Sequence, residues 1–185
     1  MKTYKVKDLM VPLSEYAMVP KDASLYDAVL ALEKAQEDFD HTRYRHRAIL
    51  IADESGNVIG KMSQLDVLRA LEPKYGELQD RHGLARFGFT KKFMKSMLNH
   101  YHLWDGALED ICKKAANAPV SQYMYTPSEG EYVDEEAGLD EAIHQLVLGH
   151  HQSLLVTQSG SITGVLRLTD VFAAIFHSMK ACFIE

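Results

Sequence analysis

The chain has 185 residues, of which 46% are hydrophobic and 25% charged, a composition typical of a folded globular protein. Its 26 acidic side chains outnumber 20 basic ones, and the net charge of -6 argues against a general binder of nucleic acids or anionic membranes. The sequence has no apolar run of the roughly 20 residues that a membrane helix needs, and no signal-peptide core. Because two cysteines, Cys112 and Cys182, cannot form a disulfide framework, we expect a cytoplasmic protein.

An internal repeat organises the chain. Residues 6–10 (VKDLM) recur as residues 120–124 (VSQYM), 114 positions later. Each of these segments precedes a short turn and the start of an apolar strand, at residues 17–19 and 131–133. The repeated order of elements predicts two copies of one supersecondary unit.

Amphipathic helices follow at the same offset, starting at Leu25 in the first copy and Leu139 in the second. Both helices have apolar residues at helical spacing, which indicates that one face is buried. Ser24 and Asp27 stand three residues apart at the first helix start, the spacing of a capping box.

Each copy continues with a β-hairpin and a second helix. Short β-branched runs surround glycine turns at Gly56 and Gly160. The second helices start near Asp66 and Asp170, only 104 residues apart, so the first copy holds ten extra residues, most of them between its first helix and the next strand. The sequence therefore predicts two β-α-β-β-α copies, at residues 4–72 and 119–180.

The segment between the copies, residues 73–118, is explained by neither repeat. Apolar residues at helical spacing, with breaks near Gly88 and at residues 105–106, predict two or three helices. One face holds Phe93, Met97 and Tyr101, and another holds Leu108, Ile111, Cys112 and Ala115. We interpret the segment as a packing insert or the cover of a dimer surface, with a partner-binding element as the alternative.

The two copies resemble tandem cystathionine β-synthase (CBS) domains. The most specific feature is GKMSQLD at residues 60–66, which returns as GVLRLTD at residues 164–170. The resemblance implies an α/β (α+β) fold in which the copies pack about a pseudo-twofold axis and form two clefts. Proteins of this family commonly bind AMP, ADP, ATP or S-adenosylmethionine there, form homodimers and regulate a partner protein.

Within each cleft, the resemblance assigns the ribose to Asp66 or Asp170, because a carboxylate accepts hydrogen bonds from both ribose hydroxyls. Ser63 and Arg167 stand three residues earlier and are expected to meet a phosphate, and Thr169 is a further predicted contact. Two alternatives stay open: Ser63 and Asp66 also have the spacing of a helix cap, and Arg167 also suits filling of the second cleft. We therefore expect two clefts that are not equivalent.

The resemblance also places an apolar adenine slot between the strand starts and the hairpin starts. The predicted contacts there are Ala17, Val19, Ala48, Ile49, Ser153 and Leu154. For the side chains of Val19, Ile49 and Leu154 we favour a simple role in the sheet core.

Basic residues before the hairpins form another candidate phosphate contact. The run at residues 43–47 contributes Arg45 and Arg47, and His151 holds the equivalent place in the second copy. The alternative is a solvated loop paired with nearby acids. A metal at residues 150–151 with Glu141 and His144 matches no known zinc spacing, and we predict none.

The sequence lacks phosphate-loop, nucleophile-elbow, zinc-protease and Cys-x-x-Cys motifs, so we do not expect an enzyme. We predict a regulatory module that binds an adenosine compound and signals to a separate protein. The alternative is a ligand-free scaffold for dimerisation or docking. Binding of RNA or DNA through the basic run is disfavoured by the net negative charge.

Overall fold

A computed structural model describes residues 4–38, 45–76, 78 and 90–182. The first copy contains β1 (Val11–Pro12), β2 (Met18–Pro20), α1 (Leu25–Asp38), β3 (Ala48–Ala52), β4 (Val58–Ser63) and α2 (Gln64–Leu71). The second contains β5 (Tyr132–Asp134), α5 (Leu139–Gly149), β6 (Ser153–Gln158), β7 (Ser161–Arg167) and α6 (Leu168–Cys182). Between them lie α3 (Lys91–His100) and α4 (Leu108–Ala116). The predicted β-α-β-β-α order is confirmed in both copies.

The two small sheets have the same pattern of strand pairing. In the first sheet β2 runs parallel to β3, which is antiparallel to β4, and in the second β5, β6 and β7 repeat this arrangement. Both hairpin turns place a glycine in the left-handed region, Gly56 at φ +83° and Gly160 at φ +82°. Because side chains disfavour that conformation, the two glycines permit the turns that the sequence predicts.

Capping boxes start two helices of the first copy. At α1 the Asp27 carboxylate accepts hydrogen bonds from the Ser24 backbone N–H (3.1 Å) and hydroxyl (2.6 Å), as predicted. At α2 the Asp66 carboxylate accepts in the same way from Ser63, at 2.8 and 2.6 Å. The helix-cap interpretation of Ser63 and Asp66 is therefore correct for this structure.

The lead-in segments, residues 4–11 and 118–125, cross between the copies. The Val6 backbone N–H donates to the Ala137 carbonyl in the second copy (3.1 Å), and the Val120 N–H donates to the Ala23 carbonyl in the first (2.9 Å). Strand β1 pairs with β7 of the second sheet, and Tyr125 forms the equivalent bridge to β4. These contacts are related by the repeat offsets, so the two copies pack with pseudo-twofold symmetry.

Glycines at the start of the repeated motif make this crossing possible. A Cβ on Gly164 would lie 2.6 Å from the Val11 carbonyl oxygen, and one on Gly60 would lie 2.8 Å from the sulfur of Met124. The lead-in therefore approaches each glycine more closely than a Cβ tolerates, through its backbone at Gly164 and through the Met124 side chain at Gly60. The motif glycine serves the packing of the copies.

Each copy has its own apolar core, completed by the lead-in of the other. Val19 and Ile49 are buried with Val120 in the first core, and Leu154 is buried with Val6 in the second. The core interpretation of Val19, Ile49 and Leu154 is thus confirmed. A third cluster, which includes Leu50 and Leu155, joins the two sheets.

The predicted helices of the connecting segment are present as α3 and α4, separated around residues 105–106. The predicted break at Gly88 lies outside the described residues. The apolar face predicted for Leu108, Ile111, Cys112 and Ala115 is not buried as a whole, because Cys112 is exposed and Leu108 is 62% exposed; Cys182 is exposed too. Helix α4 instead contacts the first copy through Ala115, which is buried. The boundaries at residues 4–72, 73–118 and 119–180 remain predictions.

Candidate ligand clefts between the two repeats

Two clefts lie where the copies meet, and each combines elements of both. The start of a strand and the start of a hairpin from one copy face the end of a hairpin and the start of a helix from the other. Arg167 of the second copy contacts His46 of the first, and Lys61 of the first copy contacts Glu131 of the second. These two contacts are not counterparts of each other, because the repeat offsets pair Arg167 with Ser63 and Lys61 with Val165.

The Asp170 cleft, made of Tyr16, His46, Arg167 and Asp170, contains a buried ion pair. Arg167 Nε donates to Asp170 Oδ2 at 2.5 Å, and Arg167 Nη2 donates to Oδ1 at 2.7 Å. Arg167 is 4% exposed and Asp170 is 9% exposed. Both carboxylate oxygens that were predicted to receive a ribose thus accept hydrogen bonds from the chain's own guanidinium.

Aromatic side chains of the first copy close this cleft. Tyr16 and His46 are buried and contact each other edge to face, with ring centroids 4.6 Å apart. Arg167 Nη1 lies 3.3 Å from His46 Nδ1, and since a guanidinium offers only donors, this nitrogen is placed to accept a hydrogen bond. Burial raises the pKa of Tyr16 to about 12, against the opposing effect of the nearby Arg167 charge.

The counterpart of the Asp170 cleft, which we call the Asp66 cleft, is defined by the repeat offsets as Ser63, Asp66, Gly130 and His151. The repeat offsets pair Ser63 with Arg167, Gly130 with Tyr16, and His151 with His46. A Cβ placed on Gly130 meets no heavy atom within 4 Å, where Tyr16 fills the other cleft. The side chains of Asp66 and His151 are 14% and 21% exposed. Gly130 is exposed, so no side chain among the described residues fills the position that Tyr16 fills in the other cleft.

Asp66 is held by groups that leave part of its carboxylate available. Ser63 engages Oδ2, while Arg69 Nη1 donates to Oδ1 at 2.9 Å. The Arg69 side chain is 40% exposed, so solvent screens this pair. Since each carboxylate oxygen accepts two hydrogen bonds, Oδ1 retains acceptor capacity.

A buried charge cluster beside the Asp66 cleft was missed by the sequence analysis. Glu131 is 1% exposed, forms an ion pair with Lys61, and accepts hydrogen bonds from the Tyr125 hydroxyl (2.5 Å) and Ser128. His151 Nδ1 lies 4.0 Å from the same carboxylate. Burial raises the pKa of Glu131, but the hydrogen bonds from Lys61, Tyr125 and Ser128 outweigh it and the net pKa is lowered.

The remaining predicted contacts are divided between core and surface. Ala17 is buried, whereas Ala48, Ser153 and Thr169 are half-buried. Arg45 and Arg47 are exposed. The Arg47 carbonyl accepts a hydrogen bond from the Gln64 N–H at 3.0 Å, so the basic run ends at the first turn of α2.

The described residues contain no group of three His, Cys, Asp or Glu side chains placed to hold a metal ion. Among the same residues, no helix is long and apolar enough to cross a bilayer.

Comparison with known families agrees with this geometry. The sequence pattern of the CBS domain matches residues 6–73 and 120–177. The chain belongs to the CBS domain family. The two CBS domains contain the two motif glycines and both cleft aspartates, which confirms the predicted resemblance. CBS pairs are generally regulatory modules. No curated protein matches the sequence significantly.

Solved CBS-pair structures share the fold. CBSX2 from Arabidopsis thaliana is 19% identical with a TM-score of 0.60, covering 97% of this chain and 99% of that chain. CBSX2 in complex with AMP is 18% identical with a TM-score of 0.59, covering 94% and 97%. Protein MJ1004 from Methanocaldococcus jannaschii is 17% identical with a TM-score of 0.57, and this chain covers 59% of its length. At these identities the similarity concerns the fold alone.

Proposed function

We propose that this CBS pair is a regulatory module that binds an adenosine nucleotide in the Asp66 cleft. The observation that carries the proposal is that Gly130, at the position equivalent to Tyr16, brings no side chain to this cleft, while the capped Asp66 is partly exposed. The AMP complex of CBSX2, a protein of the same fold, supports adenosine compounds as the ligand class. A cytosolic location, predicted from the sequence, fits a sensor of cellular energy state.

The residues of the cleft suit the parts of a nucleotide. The free acceptor capacity of Asp66 Oδ1 suits a ribose hydroxyl. Phosphates suit the first turn of α2, where the helix dipole favours an anion and where the basic run ends at Arg47. His151 stands at the position equivalent to His46 of the other cleft. This composition favours AMP, ADP or ATP over S-adenosylmethionine, which has no phosphate.

For the Asp170 cleft we propose a structural role. A nucleotide there would have to displace Arg167 from a buried bidentate ion pair and move Tyr16 and His46. A ligand bound in the Asp66 cleft alone can change how the two copies are placed relative to each other, because Lys61 and Glu131 link the copies beside this cleft. A ligand that favours one arrangement of the copies shifts the population that a partner protein recognises.

Calorimetric titration of the intact chain with AMP, ADP, ATP and S-adenosylmethionine tests the proposal. We expect saturable binding of a nucleotide and a loss of affinity of at least about tenfold in Asp66→Asn, since a hydrogen bond to a charged group contributes about this much. Gly130→Tyr, which copies the residue that fills the other cleft, should abolish binding. Asp27→Asn is the matched control, because Asp27 caps α1 in the same way that Asp66 caps α2.

Full binding by both Asp66→Asn and Gly130→Tyr would contradict the assignment of the cleft. The absence of binding across the panel would favour a second candidate, a ligand-free dimerisation scaffold. The observation behind that candidate is an exposed apolar stripe along α6, formed by Leu168, Phe172, Phe176 and Met179 at 37%, 62%, 53% and 58% exposure. We propose that this stripe forms a homodimer in either case, because exposed apolar stripes of this kind mark association surfaces.

A further inference from the structure

A separate cavity of about 380 Å³ lies between the first CBS domain and the connecting segment. Its position is at the end of α2 opposite Asp66, so it is distinct from the Asp66 cleft. The apolar part of its lining comes from Ala70, Leu71, Ile111, Ala115, Ala118 and Tyr123. This volume falls within the range of sites for small organic ligands.

One wall of the cavity is built by hydrogen bonds between two distant segments. Glu72 accepts from the Trp104 backbone N–H at 2.7 Å, Lys74 Nζ donates to the His102 carbonyl at 2.6 Å, and the Trp104 indole N–H donates to the Tyr75 hydroxyl at 3.1 Å. His102 and Trp104 both adopt left-handed backbone conformations, at φ +50° and +63°. These contacts hold an unfavourable turn in place beside the cavity.

Three charged residues that line the cavity, Glu72, Lys74 and Lys114, form no ion pair among the described residues. Glu72 is 7% exposed and its carboxylate is bonded only to backbone N–H groups, one at 2.7 Å and a longer one at 3.4 Å. Lys114 is exposed on α4 and makes no ion pair within this part of the chain. Lys74 donates instead to the neutral His102 carbonyl, and Asp105 contacts the His102 ring.

We infer that this cavity binds a small zwitterion with an apolar body, of the class of the apolar α-amino acids. A ligand ammonium group supplies the cation that the buried Glu72 carboxylate lacks, because a buried charge is stable only when it is paired. A ligand carboxylate pairs with Lys114, and the apolar side chain occupies the surface around Ile111 and Ala115. A simple amine or a simple carboxylic acid satisfies only one of the two charges.

Calorimetric titration of the intact chain with L-phenylalanine, L-leucine and L-methionine tests this inference. We expect saturable binding of at least one of them at concentrations up to about 10 mM. For the phenylalanine skeleton, phenethylamine and 3-phenylpropionate each lack one charge and should bind at least about tenfold more weakly, as expected for the loss of one charged hydrogen bond.

Variants assign the site within the chain. Glu72→Gln and Lys114→Met should each weaken binding at least about tenfold. Lys113→Met removes a neighbouring exposed lysine that does not line the cavity, and it should bind like the unmodified chain. Should Glu72→Gln fail to fold, Lys114→Met decides, because its side chain lies at the surface.

Three results would overturn the inference. The first is no saturable binding of any of the three amino acids to the unmodified chain. The second is equal affinity for phenylalanine and for either of its single-charge analogues. The third is unchanged affinity in Lys114→Met. Because nucleotide binding is tested at the other end of α2, neither result depends on the other.

Discussion

The Asp66 and Asp170 clefts contain the same motif, but side chains fill only the Asp170 cleft. Both place an aspartate in the first turn of a helix, at equivalent positions of the two copies. In one cleft Arg167 binds the aspartate and Tyr16 covers it, whereas in the other Ser63 caps the helix and Gly130 brings no side chain. The motif therefore specifies the helix start and the crossing of the copies, while residues outside it decide whether side chains fill a cleft.

The largest expected effect comes from breaking the ion pair that fills the Asp170 cleft. Arg167→Met leaves a 9% exposed carboxylate without its cation, which should lower the free energy of unfolding by about 3–5 kcal/mol. In the Asp66 cleft, Arg69→Met removes the partner of Asp66, but this arginine is 40% exposed and the expected loss is below about 1 kcal/mol. Urea unfolding of both variants measures the difference, and equal losses would mean that the clefts do not differ as described.

The two motif glycines give a second comparison, at the crossing of the copies. In Gly164→Ala the new methyl group meets the Val11 carbonyl oxygen at 2.6 Å, and the backbone has to shift, so we expect a loss of about 2–3 kcal/mol. In Gly60→Ala the nearest atom is the Met124 sulfur at 2.8 Å, on a side chain that can rotate, so the expected loss is about 1 kcal/mol. Thermal or urea unfolding provides the measurement, and a larger loss in Gly60→Ala would reverse the ranking.

An effect smaller than those of Arg167→Met and Gly164→Ala concerns the pH dependence of stability through Tyr16. The folded protein keeps the Tyr16 proton up to a pKa of about 12, whereas the unfolded chain loses it near pH 10. Between these values the unfolded state binds fewer protons, so stability falls as pH rises, by about 1.4 kcal/mol at pH 11 from this group. Comparison of unfolding free energies at pH 9 and pH 11 should show a weaker fall in Tyr16→Phe. The same substitution at the exposed Tyr26 is the control, and identical pH profiles for all three proteins would disprove the assignment.

The sequence predicts the elements of this fold well because local patterns determine them. The hairpin turns need glycine at Gly56 and Gly160, and the cap at Ser24 and Asp27 forms between neighbours in the chain. The crossing of the lead-in segments is a tertiary feature that no local pattern contains. The exposure of Cys112 was not predicted, because helical spacing alone does not indicate which face of α4 meets the rest of the protein.

The candidate site was harder to predict than the fold. Filling of the Asp170 cleft depends on Tyr16 and His46, which approach Arg167 only after the copies pack together. The Lys61–Glu131 pair did leave a signal in the sequence. In the other copy, the positions equivalent to Lys61 and Glu131 are occupied by Val165 and Ala17. Two complementary charges therefore replace two apolar residues at the interface between the copies.

The exchanged lead-in segments also constrain how the protein folds. Lys5 bonds to Glu136, 131 residues further along the chain, and Val120 completes the core of the first CBS domain. During synthesis the first domain therefore leaves the ribosome with an incomplete core. The lead-in segment that completes this core, residues 118–125, is synthesised only after the connecting region. Contacts of such long sequence separation slow folding. We expect the two domains to acquire their native structure in one late cooperative step, with the nascent first domain exposed to chaperones until then.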